Sequence, residues 1–228
     1  MYQLYMGNKN YSSWSLRPWL LLKHFNIPFE ERMVSVAGRG AHDMHRGYSP
    51  NGLVPCLHHD GFQVWDTLAI AEYLAERHLG LWPLDPNARA RARSISAEMH
   101  SGFGHVRGAM PMNVKMCLQG AELSTDVAAD VARIDAIWTE TRAEFAANSP
   151  DKPYLFGEFS IADAMFAPIV WRFHAYNVKL SPTAQAYCDT MRVHPAMREW
   201  KKDALAESMV LAHYDNEVME KYGPTRTS

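Results

Sequence analysis

Leu53-Val54-Pro55-Cys56-Leu57-His58-His59-Asp60-Gly61-Phe62-Gln63-Val64-Trp65-Asp66-Thr67-Leu68-Ala69-Ile70 is the stretch on which the fold turns. A proline opens the first apolar run. Proline removes a ladder donor and belongs at a strand's first residue, an edge or a special bend. Val54-Pro55 before a hairpin is also a good site for a cis bond. Asp60-Gly61 separates two short runs, Cys56–His59 and Phe62–Trp65, and predicts a tight hairpin. From Thr67 to Leu79 the apolar period changes from two to nearly four, with Leu68, Ile70, Ala71 and Leu74 at helical spacing. Asp66 and Thr67 therefore stand where the last strand meets a helix. Helix starts collect anions through free N–H groups and the helix dipole. Thr67 can receive a carboxylate through its hydroxyl and backbone N–H, and Asp66 can receive an amino group. A helix cap is the other ordinary role for Asp66.

Upstream, Tyr2–Tyr5 reads as a strand and Ser15–Phe25 as a helix, with Pro18 in its first turn. Glu30–Val36 reads as a second strand, and residues 37–50 as loop with one helical turn. The order is β-α-β-(α)-β-β-α. Downstream of Leu81-Trp82-Pro83-Leu84-Asp85-Pro86 the strand signals stop. Ala88–Met110, Thr125–Ala147, Ile161–Ala175, Thr183–Met191 and Pro195–Glu207 read as helices, with Pro111 ending the first of them. The tail from Val210 is weakly patterned. The expected division is 1–81, an α/β domain, and 87–228, an all-helical domain.

Composition removes several classes. The 228 residues carry 23 basic and 25 acidic side chains, and the charges balance on both sides of residue 80. No basic surface for nucleic acid or anionic membrane is expected. Cys56, Cys117 and Cys188 are too scattered for a disulfide framework or a paired-thiol zinc site. No basic-then-apolar leader and no 18-residue apolar run occurs, so a cytoplasmic, reducing environment is expected. Phosphate-loop, dinucleotide, nucleophile-elbow and zincin motifs are missing. His42 and His45 match no metal-ligand spacing, and no metal is expected.

The motifs, taken together and in order, resemble the cytosolic glutathione S-transferase family over nearly the whole chain. Ser49-Pro50-Asn51-Gly52-Leu53-Val54-Pro55 is similar to its N-P-x-G-K-V-P segment, with Leu53 in place of Lys. Asp66-Thr67 is similar to its [ED]-S pair, and Ser160-Ile161-Ala162-Asp163 to its helical capping box. Tyr11-Ser12-Ser13-Trp14-Ser15-Leu16-Arg17 resembles the S-S-C-x-x-R segment of zeta-like members, with Trp14 in place of Cys. The resemblance implies a thioredoxin-like N-terminal domain followed by a helical one, a homodimer, and glutathione as co-substrate. Glutathione would be held by Val54, Pro55, Asp66 and Thr67. Ser12 matches the family's catalytic serine, with Ser13 and Tyr11 as alternatives. A hydroxyl donating to sulfur favours the thiolate over a thiol of ordinary pKa ~8.5.

Glu98-Met99-His100-Ser101-Gly102-Phe103, Arg107 and Pro111-Met112-Asn113 are similar to a segment of bacterial homologues that walls the acceptor pocket. Trp14, Met99, Phe103, Arg107 and Met112 are the expected acceptor-pocket residues, although a Met and Phe stripe at helical spacing is also what a core shows. The activity implied is transfer of the glutathione thiolate to a hydrophobic electrophile. Two alternatives stand beside it. One is a maleylacetoacetate isomerase-like enzyme acting on an acidic metabolite with Arg107 or Arg172 as carboxylate partner. The other is a non-catalytic glutathione-binding or partner-docking module. The isomerases' carboxylate-binding arginine falls on Ala175 here, one helical turn beyond Arg172.

Overall fold

The computed structural model describes residues 1–34, 46–120, 122–147 and 151–223. His42, His45 and most of the expected 37–50 loop lie outside them. Strands β1 (Tyr2–Met6), β2 (Phe29–Met33), β3 (Cys56–His59) and β4 (Phe62–Val64) form one sheet in the order β2-β1-β3-β4. β1 pairs parallel with β2, Leu4 opposite Glu31, and antiparallel with β3, Leu4 opposite Leu57. The crossover between the parallel pair is α1 (Ser13–His24), as a parallel pair requires. Gly61, at φ +84°, closes the β3–β4 hairpin in a conformation that favours glycine. The chain then enters α2 (Thr67–Ala75). This is a thioredoxin-like sheet with helices, followed by a helical region.

That region comprises α3 (Pro86–Ser101), α4 (Gly104–Ala109), α5 (Thr125–Phe145), α6 (Ile161–Ala175), α7 (Pro182–Val193), α8 (Pro195–Ala206) and α9 (Ala212–Tyr222). α6 is its axis. Ile161 through Phe173 are all buried, and α1, α3 and α7 pack around them. α6 thus touches both halves, which share one apolar core. Its start is fixed by Asp163, whose carboxylate accepts from the Ser160 N–H at 2.9 Å and the Ser160 hydroxyl at 3.1 Å. No helix among the described residues is long and apolar enough to cross a membrane.

Three expectations need correction. The helix read as Ala88–Met110 breaks at Gly102, well before Pro111. A Cβ at Gly102 would lie 2.7 Å from the Glu98 carbonyl oxygen, and Phe103 follows at φ +57°. The chain therefore turns and restarts as α4. Pro18 stands in the second turn of α1, not the first, because the helix begins two residues earlier. The tail read as weakly patterned forms α9, which packs back through Val218 and Tyr222.

Candidate functional site

Pro18 has no N–H to give to the Trp14 carbonyl, its partner four residues back in α1. The Thr67 hydroxyl donates to that carbonyl instead, at 3.3 Å. One orphaned acceptor thus ties the start of α1 to the start of α2. Thr67 is almost fully buried, and its hydroxyl proton is engaged with Trp14. That leaves its backbone N–H as the group with which to meet a carboxylate. Thr67→Val should lower stability by about 1 kcal/mol, and Tm by about 2–4 °C for a chain of this size. Thr67→Ser should restore both in thermal denaturation.

The loop before α1 and the first residue of that helix carry three hydroxyls with different partners. Tyr11 donates to Asp215 on α9 at 2.8 Å and accepts from the Leu211 N–H. Burial, with Asp215 beside it, holds its phenol above the usual value. Ser12 is the N-cap residue of α1 but makes no side-chain cap. Its hydroxyl donates to the Ser15 hydroxyl at 2.7 Å, which itself accepts from the Gly7 N–H. Ser13 accepts from the Arg172 guanidinium at 3.4 Å. Ser13 therefore keeps its own proton to donate, while that of Ser12 is committed.

Around Ser13 and Trp14 stand three arginines. The Arg17 guanidinium lies 4.2 Å from the Trp14 ring centroid, and that of Arg107 lies 5.0 Å from it. Arg17 is fully buried. Its Nε donates to the Met165 carbonyl at 2.9 Å, and its Nη1 is buried without a partner. Burial first, then the charges of Arg172 and Arg107, pull its pKa well below the usual value, with Asp66 acting against them. A guanidinium remains charged even so. Arg172 comes from α6 and donates from Nε to the Met110 carbonyl at 2.7 Å. Arg107 donates to the Gly102 carbonyl at 3.1 Å, so the break that ends α3 also anchors this side chain. The first turn of α1 contains no acidic residue. This corner is rich in positive charge.

Asp66 is half exposed at the start of α2. Its side chain makes no capping bond and pairs with His100 Nε2 at 3.2 Å. His100 in turn meets the edge of Trp14, with centroids 5.4 Å apart. Val54–Pro55 is cis. The turn before it is ordered by Asn51, whose side-chain oxygen accepts from the Ser49 hydroxyl and the Leu53 N–H. Met99, Phe103 and Met112 are buried in the common core, as is Met110. Of the expected acceptor-pocket residues, Trp14 and Arg107 stand together with the serine loop. Burial pushes the Cys56 thiol up to about 11 and that of Cys188 higher still. Neither is a ready thiolate. Among the described residues no group of three or more His, Cys, Asp or Glu is placed to hold a metal ion.

The sequence alone assigns Arg17 and His100 no role and offers Arg172 only as an alternative carboxylate partner. One signal was available. Arg17 and Arg172 each stand within the apolar run of a helix, and a buried arginine needs a partner or a ligand.

Comparison with known proteins places the fold among known families. Residues 11–77 match the glutathione S-transferase N-terminal domain, and residues 121–201 match the C-terminal domain. A probable maleylacetoacetate isomerase of Caenorhabditis elegans is 27% identical over 94% of this chain and 94% of its own length. A stringent starvation protein A homologue of Pasteurella multocida is 27% identical over 76% of this chain and 75% of its own. A Burkholderia glutathione transferase homologue, solved with bound glutathione, superposes with a TM-score of 0.68 at 22% identity. The match covers 90% of this chain and 99% of that one.

Proposed function

The chain belongs to the glutathione S-transferase family, and from that premise we propose that it is a glutathione-dependent enzyme whose acceptor is a small unsaturated acid. The observation that carries the proposal is the trio of guanidinium groups beside Ser13 and Trp14, with the Arg17 Nη1 buried and unpartnered. A wall for purely hydrophobic acceptors has no need of these charges, and the buried Arg17 guanidinium calls for a counterpart. The isomerase relative supports the same reading.

In this reading the Val54–Pro55 backbone, the Thr67 N–H and Asp66 hold glutathione. Ser13 donates to its sulfur, and the start of α1 favours the thiolate. Arg107 and Arg172 receive the acceptor's carboxylates, while Trp14 offers a flat face to its conjugated system. Addition of the thiolate to the double bond forms a carbon–sulfur bond and an enolate that the arginines stabilise. Rotation about the new single bond and expulsion of the same thiolate give the isomer, with glutathione regenerated. Capture of a proton by the enolate gives a conjugate instead. A Cys-type disulfide exchange is not part of this reading, since Trp14 stands at the cysteine position.

The test is turnover of maleylacetoacetate beside a chlorinated aromatic acceptor, each with glutathione. The acid should be the better substrate. Arg107→Ala should raise its KM at least about tenfold, the loss of roughly 1.4 kcal/mol of binding, and leave the chloroarene rate unchanged. Rapid chloroarene conjugation, no turnover of the acid and indifference to Arg107→Ala would return the hydrophobic-electrophile transferase. Failure of immobilised glutathione to retain the protein would count against both the isomerase and the transferase.

A further inference from the structure

A second cavity lies in the helical half, between α6, α7, α8 and residues 114–117, with a volume of about 640 Å³. None of Ser12, Ser13, Trp14, Asp66, Thr67, Arg107 or Arg172 lines it. Its size falls within the range of about 300–1,000 Å³ common for small-molecule sites.

Its charge is one-sided. Lys115, Arg192 and Lys201 line it from three separate parts of the chain, and no Asp or Glu is among the described lining residues. The nearby acids are occupied or turned away. The Glu207 carboxylate accepts from the backbone N–H groups of Lys9 and Asn10. Asp189 accepts from Gln185 at 3.1 Å and forms an ion pair with Arg192 at 3.5 Å. The Arg192 Nε is buried without a partner. Lys201 has no hydrogen bond or ion pair among the described residues. Lys115 gives its ammonium to a backbone carbonyl, that of Glu207, which leaves its charge uncompensated. Three cations thus line one cavity, and Asp189 is the one carboxylate paired with any of them among the described residues. The lining also includes the apolar side chains of Phe173, Val178, Leu180 and Leu205.

We propose that this cavity is a binding site for a small organic phosphate, the dianionic group set among Lys115, Arg192 and Lys201 and a flat apolar body set against Phe173 and Leu205. A doubly charged group compensates the cations better than a monocarboxylate does. Arginine and lysine are the side chains suited to phosphate oxygens. The apolar lining distinguishes an organic phosphate from the free ion. The site is separate from the glutathione site and does not depend on the reaction proposed above.

Calorimetric titration with phenyl phosphate, inorganic phosphate and phenol, each with and without saturating glutathione, tests the assignment. Phenyl phosphate should bind with one site per chain, at least tenfold tighter than inorganic phosphate, while phenol should give no saturable heat. Its affinity should fall as salt rises and should not change with glutathione present. The double substitution Arg192→Ala, Lys201→Ala should weaken it at least tenfold and leave retention on immobilised glutathione unaltered. The proposal is overturned if phenyl phosphate does not bind or the double variant binds it equally well. It is also overturned if inorganic phosphate binds as tightly or glutathione competes. Loss of glutathione retention by the wild-type protein would bear on the proposed reaction and not on this cavity.

Discussion

Asp163→Ala should destabilise the protein by at least about 3 kcal/mol, a large part of the 5–15 kcal/mol that holds a typical domain together. The carboxylate is fully buried and accepts four hydrogen bonds. They come from the Leu155 N–H at 3.0 Å, the Ser160 N–H at 2.9 Å, the Ser160 hydroxyl at 3.1 Å and the Tyr187 hydroxyl at 3.1 Å. Alanine would strand all four donors away from water, and each buried unsatisfied donor costs about 1–3 kcal/mol. Removal of a buried charge offsets only part of that. Three segments would loosen together: the strand-like turn at Leu155, the first turn of α6, and α7 through Tyr187. Chemical denaturation should show the loss as a lower midpoint at unchanged slope. A change under 1 kcal/mol would mean that these donors find other acceptors.

The same residue sets a pH dependence. Burial, the largest influence, raises its pKa from 3.8 to about 6 against the pull of its four donors. A carboxyl group raised in the folded state favours folding fully below its unfolded pKa, and that contribution is lost as pH rises through the folded value. Between pH 4 and 6 this one group should therefore remove about 3 kcal/mol of stability, at 1.36 kcal/mol per pKa unit. Asp163→Asn keeps one acceptor without a charge and should flatten that part of the curve.

Local rules made most of the fold legible. Asp60-Gly61 marked the hairpin, and the Ser160–Asp163 pair marked the first residue of α6. Both depend on groups within four residues of one another. The break at Gly102 was missed because it depends on the close approach of Glu98 and a positive φ at Phe103, neither of which interrupts the apolar period. The helix α9 was missed because its pattern is weak alone. Its Asp215 becomes meaningful only against Tyr11 and Asn113, more than 100 residues away. The candidate site divides in the same way. Loop and helix-start residues could be assigned by motif. The arginine corner could not, since Arg17, Arg107 and Arg172 meet only through the packing of α1 against α6 and the turn before α4. The Thr67 hydroxyl was expected to face a ligand. Pro18 diverts it, through a missing N–H whose consequence appears only in three dimensions.

The two serines of the loop separate sharply under substitution. Ser13→Ala should lower the glutathione-dependent rate by about 10–100-fold, because a hydrogen bond to a charged partner contributes about 1.5–3 kcal/mol. Ser12→Ala should lower it only a few-fold. The motif points to Ser12 first, but the hydrogen bonds reverse that order. The Ser12 hydroxyl proton goes to Ser15 at 2.7 Å, and Ser15 is pinned by the Gly7 N–H at 3.0 Å. Ser13 accepts a hydrogen bond from Arg172 and keeps its own proton to donate. An acceptor bond from a guanidinium also polarises the hydroxyl and strengthens its donation to sulfur. The thiol of bound glutathione should consequently titrate about one to two units higher in Ser13→Ala, read from thiolate absorbance across pH. In Ser12→Ala it should stay near the wild-type value. Arg172→Lys should move the titration in the same direction as Ser13→Ala, since a lysine ammonium lacks the planar fork that serves Met110 and Ser13 together. A larger loss in Ser12→Ala than in Ser13→Ala would restore the motif's order and would remove Arg172 from the sulfur's hydrogen-bond chain.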